Sequence, residues 1–157
     1  MSPLLQVKDL KRHYEVHVPS GLFGRKASLK AVDGVSFAIE KGQTLGLVGE
    51  SGCGKSTTAK LVLGLIPASA GTVEFDGTPV TARHDARWRA LRQRMQMIYQ
   101  DPLGALDRRL PVITQIAEPF EIHYPQMPAV ERTDRAAQLM DAVGLRPDMA
   151  MRYPHEL

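Results

Sequence analysis

The residues with the clearest chemistry form one short run, Gly49-Glu50-Ser51-Gly52-Cys53-Gly54-Lys55-Ser56. The run matches G-x-x-x-x-G-K-[ST] at every fixed position. Small residues let a backbone wrap tightly, so that successive N–H groups converge on phosphate oxygens. A helix opening at the end of the loop would turn its positive N-terminus toward the same anion. Lys55 supplies a point charge for the outer phosphates, and the Ser56 hydroxyl can ligate Mg²⁺. Cys53 is the only cysteine. It needs no more than its main chain here, and one thiol excludes an internal disulfide.

Such a loop must be held between a strand and a helix. Thr44-Leu45-Gly46-Leu47-Val48 is nearly continuous in apolar character and predicts a strand buried on both faces, as in a parallel sheet. A helix is predicted from about Gly54 to Leu65. Upstream, Leu4–Leu10, His13–Val18 and Leu29–Glu40 predict strands of an antiparallel region, the last interrupted by the turn signal Asp33-Gly34. Pro19–Lys26 has loop composition. Downstream, Gly71–Phe75 and Thr78–Val80 flank Asp76-Gly77, a hairpin signal. An arginine-rich helix is predicted over Asp85–Arg92 and a strand over Met95–Gln100, ending at Asp101-Pro102. Pro119 makes Val112–His123 a bent or broken helix. Val130, Thr133, Ala137, Met140 and Gly144 recur at helical spacing, with Pro128 before them, and Gly144 and Pro147 ending the helix.

Length and composition bound the function. The chain has 157 residues, 43% hydrophobic and 24% charged, with a net charge of +3. This is one globular domain's worth of chain with enough apolar material for a core. The small positive surplus does not call for nucleic acid or an anionic membrane. The arginines Arg83, Arg87, Arg89, Arg92 and Arg94 surround Asp85, and Trp88 and Leu91 share one helix face, so a solvated helix face is expected rather than a nucleic-acid site. Glu131, Asp134 and Asp141 read as exposed helix charges. His17, His84 and His123 lack zinc-ligand spacing. Met1–Lys11 lacks the apolar core of a signal peptide, and no run approaches the ~18 apolar residues of a membrane span. The expectation is a soluble chain with at most a peripheral membrane role.

The phosphate loop alone fits kinases, GTPases, motor ATPases and transporters. The flanks narrow the choice. Val32-Asp33-Gly34-Val35-Ser36-Phe37 before Gly42–Gly49, then Gly49–Thr57, Gly71–Gly77 and Met95–Pro102, resemble the ATP-binding subunits of ABC transporters. The resemblance runs from about residue 4 to 157. Pro19–Ala27 is similar to an insertion of the oligopeptide and dipeptide importer class, and Gln100–Pro111 to that class's segment after the Q-loop. That class usually carries Ser-Leu-Asn-Pro-Arg where this chain has Ala105-Leu106-Asp107-Arg108-Arg109.

The resemblance implies an α/β P-loop NTPase of ABC type. Its parts would be an antiparallel β region over about 1–40, part of the P-loop core with its hairpin over 41–100, and the start of a helical subdomain over 101–157. It implies ATP and Mg²⁺ as ligands. ATP would be bound by Gly49, Glu50, Ser51, Gly52, Cys53, Gly54, Lys55, Ser56 and Thr57, with Tyr14 stacking on adenine. Ser56 and Gln100 would serve Mg²⁺, Gln100 also orienting the attacking water. His13 would face away from Tyr14 on its strand. Expected partners are permease subunits and a second ATP-binding subunit, at the cytoplasmic face of the cell membrane. Arg152–Leu157 resembles the stretch that immediately precedes the family's Ser-Gly-Gly-Gln signature. The signature, the Walker B strand, the catalytic glutamate and the switch histidine are therefore expected to be missing, the chain to hydrolyse little ATP alone, and its stability to be marginal. Competing readings are a non-catalytic nucleotide-binding or interaction module and a small-molecule kinase. The transported solute is not legible.

Overall fold

The computed structural model describes residues 2–18, 25–83, 85–101 and 103–157. The predicted loop at Pro19–Lys26 lies mostly outside these, as do His84 and Pro102. The chain forms two compact units, Met1–Gln96 and Met97–Leu157.

The first unit is built on a four-stranded antiparallel sheet. Its strands are β1 (Leu5–Val18), β2 (Arg25–Ile39), β3 (Ala70–Phe75) and β4 (Thr78–Pro79), ordered β2-β1-β3-β4. Two of the predicted strands, Leu4–Leu10 and His13–Val18, are one: Lys11 and Arg12 pair with Asp33 and Val32 and carry the ladder through. The expected turn at Asp33-Gly34 is a correction of the same kind. Gly34, at φ 84, is an extra residue inside β2, because Leu10 pairs with Val35 and Lys11 with Asp33. The reason is phase. Val32 faces the core, and so do Val35, Phe37 and Ile39, an odd step that strict alternation forbids and one bulge permits. β1 solves the same problem at Lys8–Asp9: Leu5 and Val7 face inward, and the bulge lets Leu10 replace Asp9 as the next core residue.

Helix α1 (Lys55–Val62) adds Leu61 to the core of Leu5, Val7, Leu10, Val32 and Val73. It ends on Gly64 at φ 62, whose N–H reaches the Leu61 carbonyl at 3.0 Å while Leu65 N–H reaches Lys60 at 2.9 Å, a Schellman closure. The β3–β4 turn has positive φ at both Asp76 (49) and Gly77 (70), the type I′ geometry that Asp-Gly suits. Helix α2 (Ala86–Arg92) is capped by Asp85, whose carboxylate accepts the Trp88 N–H at 2.9 Å. Leu91 is buried, and the helix is more than the solvated face expected. The Trp88 indole donates to the Gly64 carbonyl at 3.1 Å, and Arg92 donates to Leu63 at 3.3 Å. These are carbonyls at the end of α1 that the helix cannot satisfy itself.

Two predicted strands are absent. Thr44–Val48 is irregular, with Val48 95% exposed, and Met95–Gln100 is irregular, with Ile98 94% exposed. A buried strand exists only where a neighbour completes its ladder, and among the described residues neither segment has one. Apolar composition selected the right residue types but could not supply the partner.

The second unit is an α-helical hairpin. Helix α3 (Val112–His123) packs on α4 (Ala129–Ala142). The expected break at Pro119 does not occur. Pro119 is exposed and lies within the continuous helix Val112–His123. Neither helix starts on a side-chain cap, each being preceded by a proline. At α3 the free N–H groups of Val112 and Ile113 instead reach the carbonyls of Arg152 and Ala150, both at 2.9 Å. The buried residues of α4 are Ala136 and Met140, so of the predicted stripe only Met140 faces inward while Val130 is 73% exposed. Gly144, at φ 77, ends α4 as expected.

Candidate phosphate-binding site

The loop 49–54 precedes the first turn of α1, and its last residue packs against β2. Gly54 is the N-cap, at φ 98. A methyl group there would overlap the carbonyl oxygen of Ala31 and lie 3.6 Å from Val32 Cγ2. Ala31 is the extra residue of a third bulge, between the pairs Arg12–Val32 and His13–Lys30. The loop therefore docks on that bulge, and only a glycine fits both the contact and the left-handed backbone. Gly49 approaches the other end of the loop: a methyl group there would sit 2.5 Å from Cys53 Sγ.

Lys55 folds back over the loop. Its Nζ donates to the carbonyl of Gly49 at 2.6 Å and of Glu50 at 2.7 Å, and lies 3.6 Å from Cys53 Sγ. The ammonium is thus held in the concavity of the turn, among main-chain groups. Thr58, one position past Thr57, is buried and donates its hydroxyl to the Gly54 carbonyl at 3.0 Å, locking the first turn. No side chain caps α1, so its first-turn N–H groups keep their capacity for an anion. Glu50, Ser51, Gly52, Cys53 and Ser56 are exposed and Thr57 half-buried. A phosphate fits this donor set: a caged cation, unclaimed N–H groups and a hydroxyl at Ser56.

The other predicted site residues are placed as follows. Tyr14 is half-buried in β1, opposite Leu29, with the Arg12 guanidinium 4.3 Å above its ring centre. His13, its neighbour, turns to Asp33, with Nε2 2.9 Å from Oδ1. Lys30 and His13 together hold the Asp33 carboxyl below its usual range, the hydrogen bond from Lys30 being the larger cause. Gln100 is exposed and belongs to the second unit. Among the described residues no group of three or more His, Cys, Asp or Glu side chains could hold a metal ion, and no helix is long and apolar enough to cross a membrane. Sequence reasoning missed Arg12, the Ala31 bulge, Thr58 and the bracing of α1 by Trp88 and Arg92. Only the i, i+2 spacing of Arg12 and Tyr14 could have pointed to one of them.

The segment where the chain departs from the importer pattern is ordered by its own charges. Arg109 makes a two-pronged contact with Asp107, at 3.1 and 2.9 Å, and its backbone N–H adds a bond at 2.9 Å. The Asp107 carboxyl is lowered to about 2, chiefly by the Arg109 side chain. Gln115 of α3 accepts the Asp107 N–H at 2.8 Å and donates to the carbonyls of Asp107 and Leu110 at 3.0 and 2.8 Å.

The chain resembles known proteins in sequence and in fold. Over 154 residues the chain is 44% identical to the oligopeptide transport ATP-binding protein OppF of Escherichia coli K12, covering 98% of this chain and 46% of that protein. It is 43% identical, over 98% of its length and 45% of the relative's, to a putative oligopeptide transport ATP-binding protein, YkfD, of Bacillus subtilis 168. The chain thus spans about half the length of the curated relatives it matches. A solved dimeric ATP-binding cassette in a post-hydrolysis state with ADP and Pi superposes with a TM-score of 0.77 at 22% identity, covering 98% of this chain and 62% of that one. The N-terminal fold is that of such cassettes. Residues 32–157 match the ABC transporter family, and the chain belongs to it.

Proposed function

We propose that this chain supplies the phosphate-loop half of an ATP site in the ATP-binding subunit of a peptide-importing ABC transporter. The observation that carries the reading is Lys55, whose ammonium is gathered into the loop by the Gly49 and Glu50 carbonyls at 2.6 and 2.7 Å, at the uncapped start of α1. A triphosphate entering the loop would exchange those two neutral carbonyls for anionic oxygens, a stronger class of partner. Lys55 and the N–H groups of the loop would bind and orient the phosphates. The Ser56 hydroxyl would hold Mg²⁺, which neutralises phosphate charge when bound. Tyr14 would stack on the base.

Peptide transport is drawn from the relatives' names, which describe oligopeptide transport ATP-binding proteins. By the same token the partners would be permease subunits and a second ATP-binding subunit, and the place of work the cytoplasmic face of the membrane. The region 1–40 would serve as the antiparallel β part, 41–100 as the P-loop core and 101–157 as the start of the helical subdomain.

The test is equilibrium binding of Mg-ATP to the 157-residue chain beside Lys55→Ala. Losing one charged hydrogen-bonding partner should weaken binding by about tenfold or more. Equal affinity of the two proteins would remove the loop as the nucleotide site.

A further inference from the structure

The face of β1 that begins in the core does not end in apolar residues. Leu10 is fully buried, and β1 alternates without a bulge of its own from there to Tyr14. The next two side chains on that face are Arg12 and Tyr14, and the Arg12 guanidinium lies over the Tyr14 ring, 4.3 Å from its centroid. Arg12 Nε is buried with no hydrogen-bond partner among the described residues. The ring is the one partner that the described residues offer this guanidinium. Arg12 is linked to the phosphate loop through one residue. Its cross-strand neighbour is Val32, and Val32 Cγ2 is the side-chain atom that the space above Gly54 abuts, at 3.6 Å.

We infer that Arg12 is a positioning residue for the base of the nucleotide: it clamps the Tyr14 ring from one face and leaves the opposite face for the base. A half-buried tyrosine on a strand has two common χ1 rotamers. A planar cation stacked on one face selects the rotamer that keeps the contact. The effect reaches the nucleotide through the ring, so it applies to the base and not to the phosphates. This rests on the nucleotide reading of Tyr14 given above.

The experiment compares the affinities of wild type, Arg12→Ala, Arg12→Lys, Tyr14→Ala and Arg12→Ala/Tyr14→Ala for Mg-ATP and for Mg-tripolyphosphate, which has no base. A cation–π contact between exposure and burial predicts that Arg12→Ala weakens Mg-ATP about three- to tenfold. Mg-tripolyphosphate should bind within about twofold of wild type, since no stacking is involved. Arg12→Lys keeps the charge but not the planar stack, so it should fall between the two. In the Tyr14→Ala background, removing Arg12 should cost nothing further.

Equal weakening toward tripolyphosphate would overturn the inference, since Arg12 would then act on phosphate or on the fold. So would an undiminished Arg12 effect without Tyr14, or no effect at all. If Tyr14→Ala itself leaves Mg-ATP affinity unchanged while Lys55→Ala lowers it, the stacking role of Tyr14 fails first, a result distinguishable from failure of Arg12 alone. Far-ultraviolet circular dichroism of each variant identifies any that fails to fold, and Arg12→Lys then carries the comparison.

Discussion

Replacing Gly54 by alanine tests whether the phosphate loop is shaped by its contact with β2. The new methyl group would meet the Ala31 carbonyl oxygen well inside contact distance, and that oxygen is backbone, so no side-chain rotation relieves it. Reaching ordinary contact requires the end of the loop to retreat by about 1 Å. The residue must also hold φ 98, where an L-side chain costs about 1–2 kcal/mol. Adding a backbone shift of similar size gives about 3 kcal/mol, shared between loss of stability and relaxation of the loop. Gly52→Ala is the control. It has nearly the same φ, 82, but nothing within 4 Å of the added methyl, so it should cost only the conformational part. Thermal unfolding without nucleotide should place Gly54→Ala below wild type by about 5–10 °C and Gly52→Ala by about half as much. Because the retreat moves the start of α1 and Lys55 together, Gly54→Ala should also lose roughly thirtyfold or more in Mg-ATP affinity by calorimetry, equivalent to about one charge-assisted hydrogen bond. Indistinguishable melting of the two variants would refute the claim that docking on the Ala31 bulge shapes the loop.

Two further outcomes follow from the bracing of α1 and from the loop before α3. Trp88→Phe removes the indole donor from the Gly64 carbonyl at the far end of α1; a loss of about 1 kcal/mol is expected in chemical denaturation, and unchanged stability would mean that α2 does not brace the helix. Asp107 has its pKa depressed to about 2 from 3.8, so its pairing with Arg109 stabilises the loop fully above the ordinary value and is lost as pH falls through about 2. Carboxyl NMR titration of Arg109→Ala should show the Asp107 midpoint moving up toward 3.8, and a midpoint that stays near 2 would assign the depression to something other than Arg109.

What was legible in the sequence was chemistry whose requirements are local. Asp76-Gly77 is a turn because both residues tolerate positive φ, and Gly144 ends α4 in a left-handed residue. The spacing of glycines and lysine in Gly49–Ser56 is likewise a local pattern, although the contact of Gly54 with the Ala31 carbonyl is not. What failed depended on partners far along the chain. Asp33-Gly34 has the composition of a turn, yet the pairing of β2 along β1 makes it a bulge, a result that only the register of the two strands decides. Of the stripe predicted on α4 only Met140 is buried. The buried residues are Ala136 and Met140, and the two alanines in Ala136-Ala137 gave no means of choosing between them.

The clearest case is the pair of apolar segments before and after this part of the fold. Thr44–Val48 and Met95–Gln100 carry residues that a buried strand wants, yet Val48 and Ile98 are almost wholly exposed. Burial of an apolar side chain is a property of two surfaces, and a strand's backbone groups need a neighbour on each side. The same composition therefore reads as a strand in the sequence and stands open in the described residues. The phosphate loop shows the opposite dependence. It is anchored not through the apolar run before it but through Gly54 on the Ala31 bulge and Thr58 on the Gly54 carbonyl. Its shape thus rests on β2 and the first turn of α1, so the loop keeps its form beside a segment that is not a strand.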